Sequence, residues 1–173
     1  VIGDPSLDEA YLKAAESSDH KQVQSAALAA KNSGSSALIS KLLSKFDSTR
    51  DPETRRLLFE AGLNRKDEGI AKKAIELLNG DMERTAIALL RTACNVLAFQ
   101  KDPESAQAAL KGMFFADDAG RTIANECSKA LLSLGKDIAS PVLIEVFKLE
   151  NAGLNEYVDK HSDRLTPDAL RLQ

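Results

Sequence analysis

A chain of 173 residues with 43% hydrophobic side chains is long enough to bury a core of its own, and with only 5% aromatics and no Trp it is poor material for strands. Its 23 basic and 26 acidic residues leave a formal net charge of -3, a near balance that offers no electrostatic funnel to a phosphate backbone and excludes nucleic acid as the expected partner. No apolar run approaches the ~20 residues that span a bilayer and no charged leader precedes an apolar stretch, so membrane insertion is not expected. The first residue is Val1, which reads as a processed protein or an excised segment whose compartment that end does not reveal.

From Ser6 to Ser17 the residues Leu7, Ala10, Tyr11, Ala14 and Ala15 follow the spacing of one helical face. Asp19 caps a second helix in which Val23, Ala26, Ala27 and Ala30 line one side until Gly34. Ser35 or Ser36 restarts the chain, and Leu38, Ile39, Leu42, Leu43 and Phe46 form a third stripe ended by Asp47-Ser48-Thr49. Asp51-Pro52-Glu53 is the clearest helix start, because Asp caps free N–H groups and Pro at the first position gives up a bond that is missing anyway. Leu57, Leu58 and Ala61 follow, with Gly62 or Asn64 placed to stop the helix.

Next comes a helix with Ile70, Ala71, Ala74, Ile75, Leu77 and Leu78, closed by Asn79-Gly80. Asp81 is expected to open a longer one through Ala86, Ile87, Leu89, Leu90, Ala93, Val96 and Leu97. Asp102-Pro103-Glu104 repeats the earlier start and leads to Ala106, Ala109, Leu110, Met113 and Phe114. Asp117 or Asp118 is expected to begin a helix through Ile123, Cys127, Ala130, Leu131 and Leu134, ended by Gly135. Pro141, placed as a first-turn proline, precedes Val142, Leu143, Val146, Phe147 and Leu149. A short helix holds Leu154, Tyr157 and Val158, and Thr166-Pro167 begins a last turn. About ten helices joined by short links make antiparallel neighbours, an all-α fold.

Asp-led helices begin at Asp19, Asp51, Asp81 and Asp118, at intervals of 32, 30 and 37 residues. One helix pair of that size leaves its apolar sides wet, so stacking must supply the core. The run Asp51-Pro52-Glu53-Thr54-Arg55-Arg56, closing on Glu60-Ala61-Gly62, resembles the first helix of a HEAT repeat. Asp117 to Arg121 with Ala130-Leu131-Leu132-Ser133-Leu134-Gly135 fits the same outline, and Ile138 to Leu143 resembles that family's second helix. The resemblance covers residues 19 to 150. It implies one domain, a right-handed α-α superhelix with an N-terminal capping helix at 1–18, helix pairs at 19–50, 51–80, 81–117 and 118–150, and a cap or a further repeat at 151–173. Asp102-Pro103-Glu104 falls out of phase with it and leaves the pairing between Asp81 and Asp117 open.

In HEAT solenoids, Asp and Arg of successive repeats form a ladder, and the matching positions here are Asp51, Arg55, Asp117 and Arg121, which would set register. The second helices of such solenoids line the inner curve. Lys41, Lys45, Lys72, Lys73, Lys111 and Lys148 place lysines on that layer as a candidate ridge for an acidic partner, although Glu68, Glu76, Glu104 and Glu145 nearly cancel them, as on an ordinary mixed surface. Met113-Phe114-Phe115 cannot all point into one core from a helix, so Phe115 is either an exposed anchor for a partner or a ring tucked in by the break at Ala116-Asp117.

Chemistry has little foothold. His20 and His161 lie far apart without a ligand at helical spacing, so no metal is expected, and no phosphate-binding glycine loop or nucleophile elbow suggests a cofactor or catalytic group. The carboxylate pairs Asp67-Glu68 and Asp117-Asp118 stand where helix starts want negative charge. Cys94 and Cys127 each fall in an apolar stripe and read as small buried residues with free thiols, which fits a cytoplasm. The expectation is a non-catalytic protein-binding scaffold. Its alternatives are an enzyme on HEAT-like repeats, such as a bilin lyase or a solenoidal DNA glycosylase, or a segment of a larger assembly factor.

Overall fold

The computed structural model describes residues 5–33, 36–63 and 68–162. The expectations at Gly34, Ser35, Asn64, Asp67 and Thr166-Pro167 lie outside the described residues. Among the described residues there are ten α-helices and one 3-10 turn, and the only strand-like pairing is a single bridge between Ala116 and Thr122. The all-α expectation holds. The chain forms two compact units, residues 1–70 and 71–173.

In the first unit, α1 (Pro5–Glu16), α2 (His20–Ser33), α3 (Ser36–Phe46) and α4 (Pro52–Ala61) stack so that α2 lies along α4 and α1 along α3. The α2 stripe is small, Val23, Ala26, Ala27 and Ala30, all buried, and this lets its backbone come close to α4. Leu38, Ile39, Leu42 and Phe46 meet Leu57, Leu58 and Phe59 in the core, where the rings of Phe46 and Phe59 stand edge to face at 4.7 Å. Asp51 caps α4 as its sequence predicts, accepting the Thr54 N–H at 2.7 Å. Gly62 then admits Ile70, whose Cδ1 would lie 1.4 Å from any added Cβ.

The second unit holds most of α5 (Glu68–Asn79), the 3-10 turn Met82–Arg84, and the helices α6 (Ile87–Leu97), α7 (Pro103–Met113), α8 (Ala124–Leu134), α9 (Lys136–Phe147) and α10 (Ala152–Lys160). Here α6 packs on α8 and α7 on α8 and α9, an alternation consistent with stacked helix pairs. The repeated Asp-Pro-Glu begins α7, which follows α6 and packs mainly on α8. Asp102 caps it through the Ser105 N–H at 2.7 Å.

Three starts differ from expectation. Asp81 opens only the 3-10 turn, its carboxylate pairing with Arg84 at 3.3 Å, and α6 begins after the extended residues Thr85 and Ala86. Asp117 opens no helix. Its carboxylate accepts the N–H groups of Ala119 and Arg121, the chain reverses through Gly120 at φ 71, and α8 starts at Ala124. Pro141 sits within α9, which starts five residues earlier at Lys136, so its missing N–H falls in the second turn.

The cysteines require a correction. Cys94 of α6 and Cys127 of α8 are joined in a disulfide with Cα atoms 5.0 Å apart, so they are not free thiols and the argument from them to a cytoplasm lapses. Both are buried where α6 and α8 pack. Gly112 of α7 is needed beside them, because a Cβ there would lie 2.6 Å from the Cys127 Sγ.

Candidate functional site

Helix ends leave carbonyls without partners, and in both units a lysine from another helix supplies the donor. Lys45 of α3 donates to the carbonyls of Glu16 and Ser17 where α1 ends. Lys111 of α7 does the same for Asn79 at the end of α5, at 2.8 Å. Burial on this seat lowers the Lys111 ammonium pKa.

Lys111 also stands at the centre of an open cleft of about 650 Å³ in the second unit. One wall runs from Asn79 through Glu83, and the other is α10 with Gly153, Glu156, Tyr157, Lys160 and His161. The Lys111 Nζ lies 5.0 Å from the centre of the Tyr157 ring, which adds a cation–π attraction worth ~0.5–1 kcal/mol at such a partly exposed place. Tyr157 in turn stacks obliquely on His161, ring centres 4.4 Å apart. The His161 Nε2 lies 3.2 Å from a Glu83 carboxylate oxygen, and its Nδ1 lies 2.8 Å from the Tyr157 carbonyl. Both ring nitrogens therefore face acceptors. A second groove of about 460 Å³ adjoins the first, between Gln107, Leu110 and Lys111 of α7, Glu145 of α9, and the start of α10.

What α10 contributes is an amphipathic helix. Asn151 caps it through the Leu154 N–H at 3.0 Å, and Leu154 and Val158, four residues apart, are buried. It touches the unit at these points instead of along a broad interface of the kind that joins α7 to α8.

The predicted binding residues divide by this geometry. Lys41 pairs with Glu16 at 2.6 Å, Lys73 with Glu76 at 3.1 Å, and Lys148 reaches Glu150 at 4.0 Å. Lys72 is exposed on α5. Lys45 and Lys111 close helix ends, so the lysines do not form one uniform ridge. Phe115 is a correction: only 2% exposed, it is no surface anchor. Since α7 ends at Met113, Phe114 and Phe115 leave helical geometry and both rings turn inward.

The register positions divide as well. Asp51 belongs to a cross-helix link in which Gln24 of α2 donates to the Thr54 hydroxyl at 3.0 Å and that hydroxyl donates to Asp51 at 2.6 Å. Arg55 instead lies over the Phe46 ring at 4.3 Å, its Nε buried with no hydrogen-bond partner among the described residues. Asp117 and Arg121 bond to each other inside one loop, at 2.7 Å, and form no rung between repeats. In the second unit the link falls to Arg91 of α6, which reaches Glu126 at 3.6 Å and the Thr122 carbonyl at 3.3 Å.

Sequence reasoning passed over Glu83, Tyr157 and His161 as a group. The available signal was the 32-residue step from Asn79 to Lys111, one repeat length, which sets a lysine beside the end of the preceding second helix. Among the described residues no group of three His, Cys, Asp or Glu is placed to hold a metal ion, and no helix is long and apolar enough to cross a membrane. Comparison with protein families, with curated proteins and with solved structures finds no match.

Proposed function

We propose that this chain is a non-catalytic helical-repeat scaffold of HEAT-like type, and that the surface it offers is the face at the ends of α5, α7 and α9. The partner it fits is a short amphipathic helix of another protein. One observation carries this reading: α10 sits on that face through two apolar residues and an aromatic ring, and so displays the chemistry the face accepts. A preformed helical platform pays little ordering cost when it binds, which suits a scaffold.

The test is a titration with a labelled peptide of residues 150–162, read by fluorescence anisotropy, against the protein carrying Tyr157→Ala and His161→Ala to loosen its own α10. Saturable binding, weakened by Lys111→Glu and absent for a scrambled peptide, is expected. No binding to a loosened protein that keeps its far-ultraviolet helical signal overturns the placement of the face. Turnover of a small molecule by the intact chain overturns the scaffold reading itself.

A further inference from the structure

Leu149, in the joint between α9 and α10, has φ 58, the only positive φ of a residue other than glycine among the described residues. It closes α9 in a Schellman arrangement: the Glu150 N–H reaches back to the Glu145 carbonyl at 2.8 Å and the Leu149 N–H to Val146 at 2.9 Å. Glycine ordinarily fills that position, because a side chain is strained in the left-handed region. The Asn155 side chain holds the Leu149 carbonyl at 2.9 Å, so the bent joint is tied down at one point.

The residues around this strained joint are apolar and uncovered. Ile144 is 49% exposed, Phe147 69% and Leu149 59%. Ile144 and Phe147 stand three apart on the same flank of α9. Beyond the joint the spacing continues without a break. Ile144, Phe147, Asn151, Leu154 and Val158 advance by three, four, three and four residues, the spacing of a two-helix seam with one Asn in it. In the bent chain this stripe is divided: its second half faces the cleft and its first half faces solvent. If Leu149 relaxes into the right-handed region, α9 and α10 become one helix carrying the whole stripe on one side.

We propose that the chain exchanges α10 with a second copy of itself. Opening of the Leu149 joint carries α10 away from its own cleft and into the same seat on the partner, where Leu154 and Val158 are buried again and Tyr157 and His161 regain Lys111 and Glu83. The seat already fits this helix, so no new complementarity is required. What the exchange adds is relief at two joints and cover for Ile144 and Phe147, which come to lie where the two long helices cross. Gly153 opposes it, being a poor residue for the interior of the merged helix, and keeps the closed form populated.

The exchange uses the same seat as the proposed foreign helix, but its test reads self-association of the full chain through the Leu149 joint, which peptide capture alone does not produce. Its test is sedimentation equilibrium of the full chain over a range of concentrations, with Leu149→Gly and Leu149→Ala beside the parent. Both substitutions remove the exposed side chain, but only glycine removes the strain. Exchange therefore predicts that the alanine protein keeps dimerising while the glycine protein loses association about tenfold relative to it. Equal loss in both means a dimer formed by the exposed patch alone and overturns the proposal. So does a parent chain that stays monomeric into the millimolar range, or a glycine variant that dimerises better. Leu149 is exposed, so both variants should fold, and circular dichroism checks that they do.

Discussion

Cys94, late in α6, and Cys127, in the first turn of α8, lie 33 residues apart in the chain, and their sulfurs are bonded at 2.09 Å. The bond ties two packed helices, α6 and α8, directly to each other. Closing a loop of this length is worth ~3–4 kcal/mol by chain entropy. The double substitution Cys94→Ala, Cys127→Ala is expected to lower unfolding stability by about that amount in urea titrations. The parent should resist alkylation until it is both unfolded and reduced, since neither sulfur is exposed. Ready labelling of the folded parent would show that the bond is not formed.

Gly112 should tolerate no side chain. Ala there would press on the Cys127 Sγ at 2.6 Å and the Ile123 Cδ1 at 3.3 Å, and overpacking of this kind costs ~1–3 kcal/mol. Gly153, which has open space around it, is the control: Ala there should be neutral or stabilising in the same thermal melts.

Arg55 is predicted to be replaceable. Its ring contact is retained in part by Arg55→Met, and the buried Nε without a partner is removed. Arg55→Met should melt within a few degrees of the parent. Leu58→Asp, which puts a carboxylate into a fully buried place, should abolish the cooperative transition of the first unit. A mild shift for Leu58→Asp would contradict the packing described for α4.

Acid should weaken the fold through its caps. Hydrogen bonds from the Thr54 hydroxyl and N–H hold the Asp51 carboxyl below its ordinary value of 3.8, and the Arg121 backbone N–H does the same for Asp117. The folded chain thus releases these protons at lower pH than the unfolded chain does. Their contribution is complete above the ordinary carboxylate range and is lost as pH falls through the lowered folded values. Denaturant midpoints should be level near neutrality and fall below about pH 4. Asp51→Asn, which still caps but does not titrate, should flatten part of that fall.

α10 should be the least protected helix of the second unit. Its anchors are Leu154, Val158, Tyr157 and His161, and Tyr157→Ala removes both the Lys111 and the His161 ring contacts. Amide hydrogen exchange should then speed up across Ala152–Lys160 and leave α7 and α8 nearly unchanged. Equal acceleration everywhere would make α10 part of the unit's core.

Helix existence was plain in the sequence because apolar stripes at 3.6-residue spacing fix burial, and the starts at Asp19, Asp51 and Asp102 were plain because capping is local chemistry. Asp81 and Asp117 misled for the same reason that made them attractive. An Asp before an apolar stripe caps a turn as readily as a helix, and Gly120 decided for the turn. The disulfide was hidden because its evidence is a distance between two stripes, and the sequence states each stripe separately. Tyr157, His161 and Glu83 come together through the seating of α10, which no local signal encodes.

The lysine closures have one more consequence. The α1 carbonyls are closed by a lysine 29 residues downstream and the α5 carbonyl by one 32 downstream, each lying in the following pair, whereas α9 closes its own end at Leu149. Deleting a single turn from α3 or α7 would therefore carry each lysine off the carbonyls it closes and leave a distant helix end without its donor.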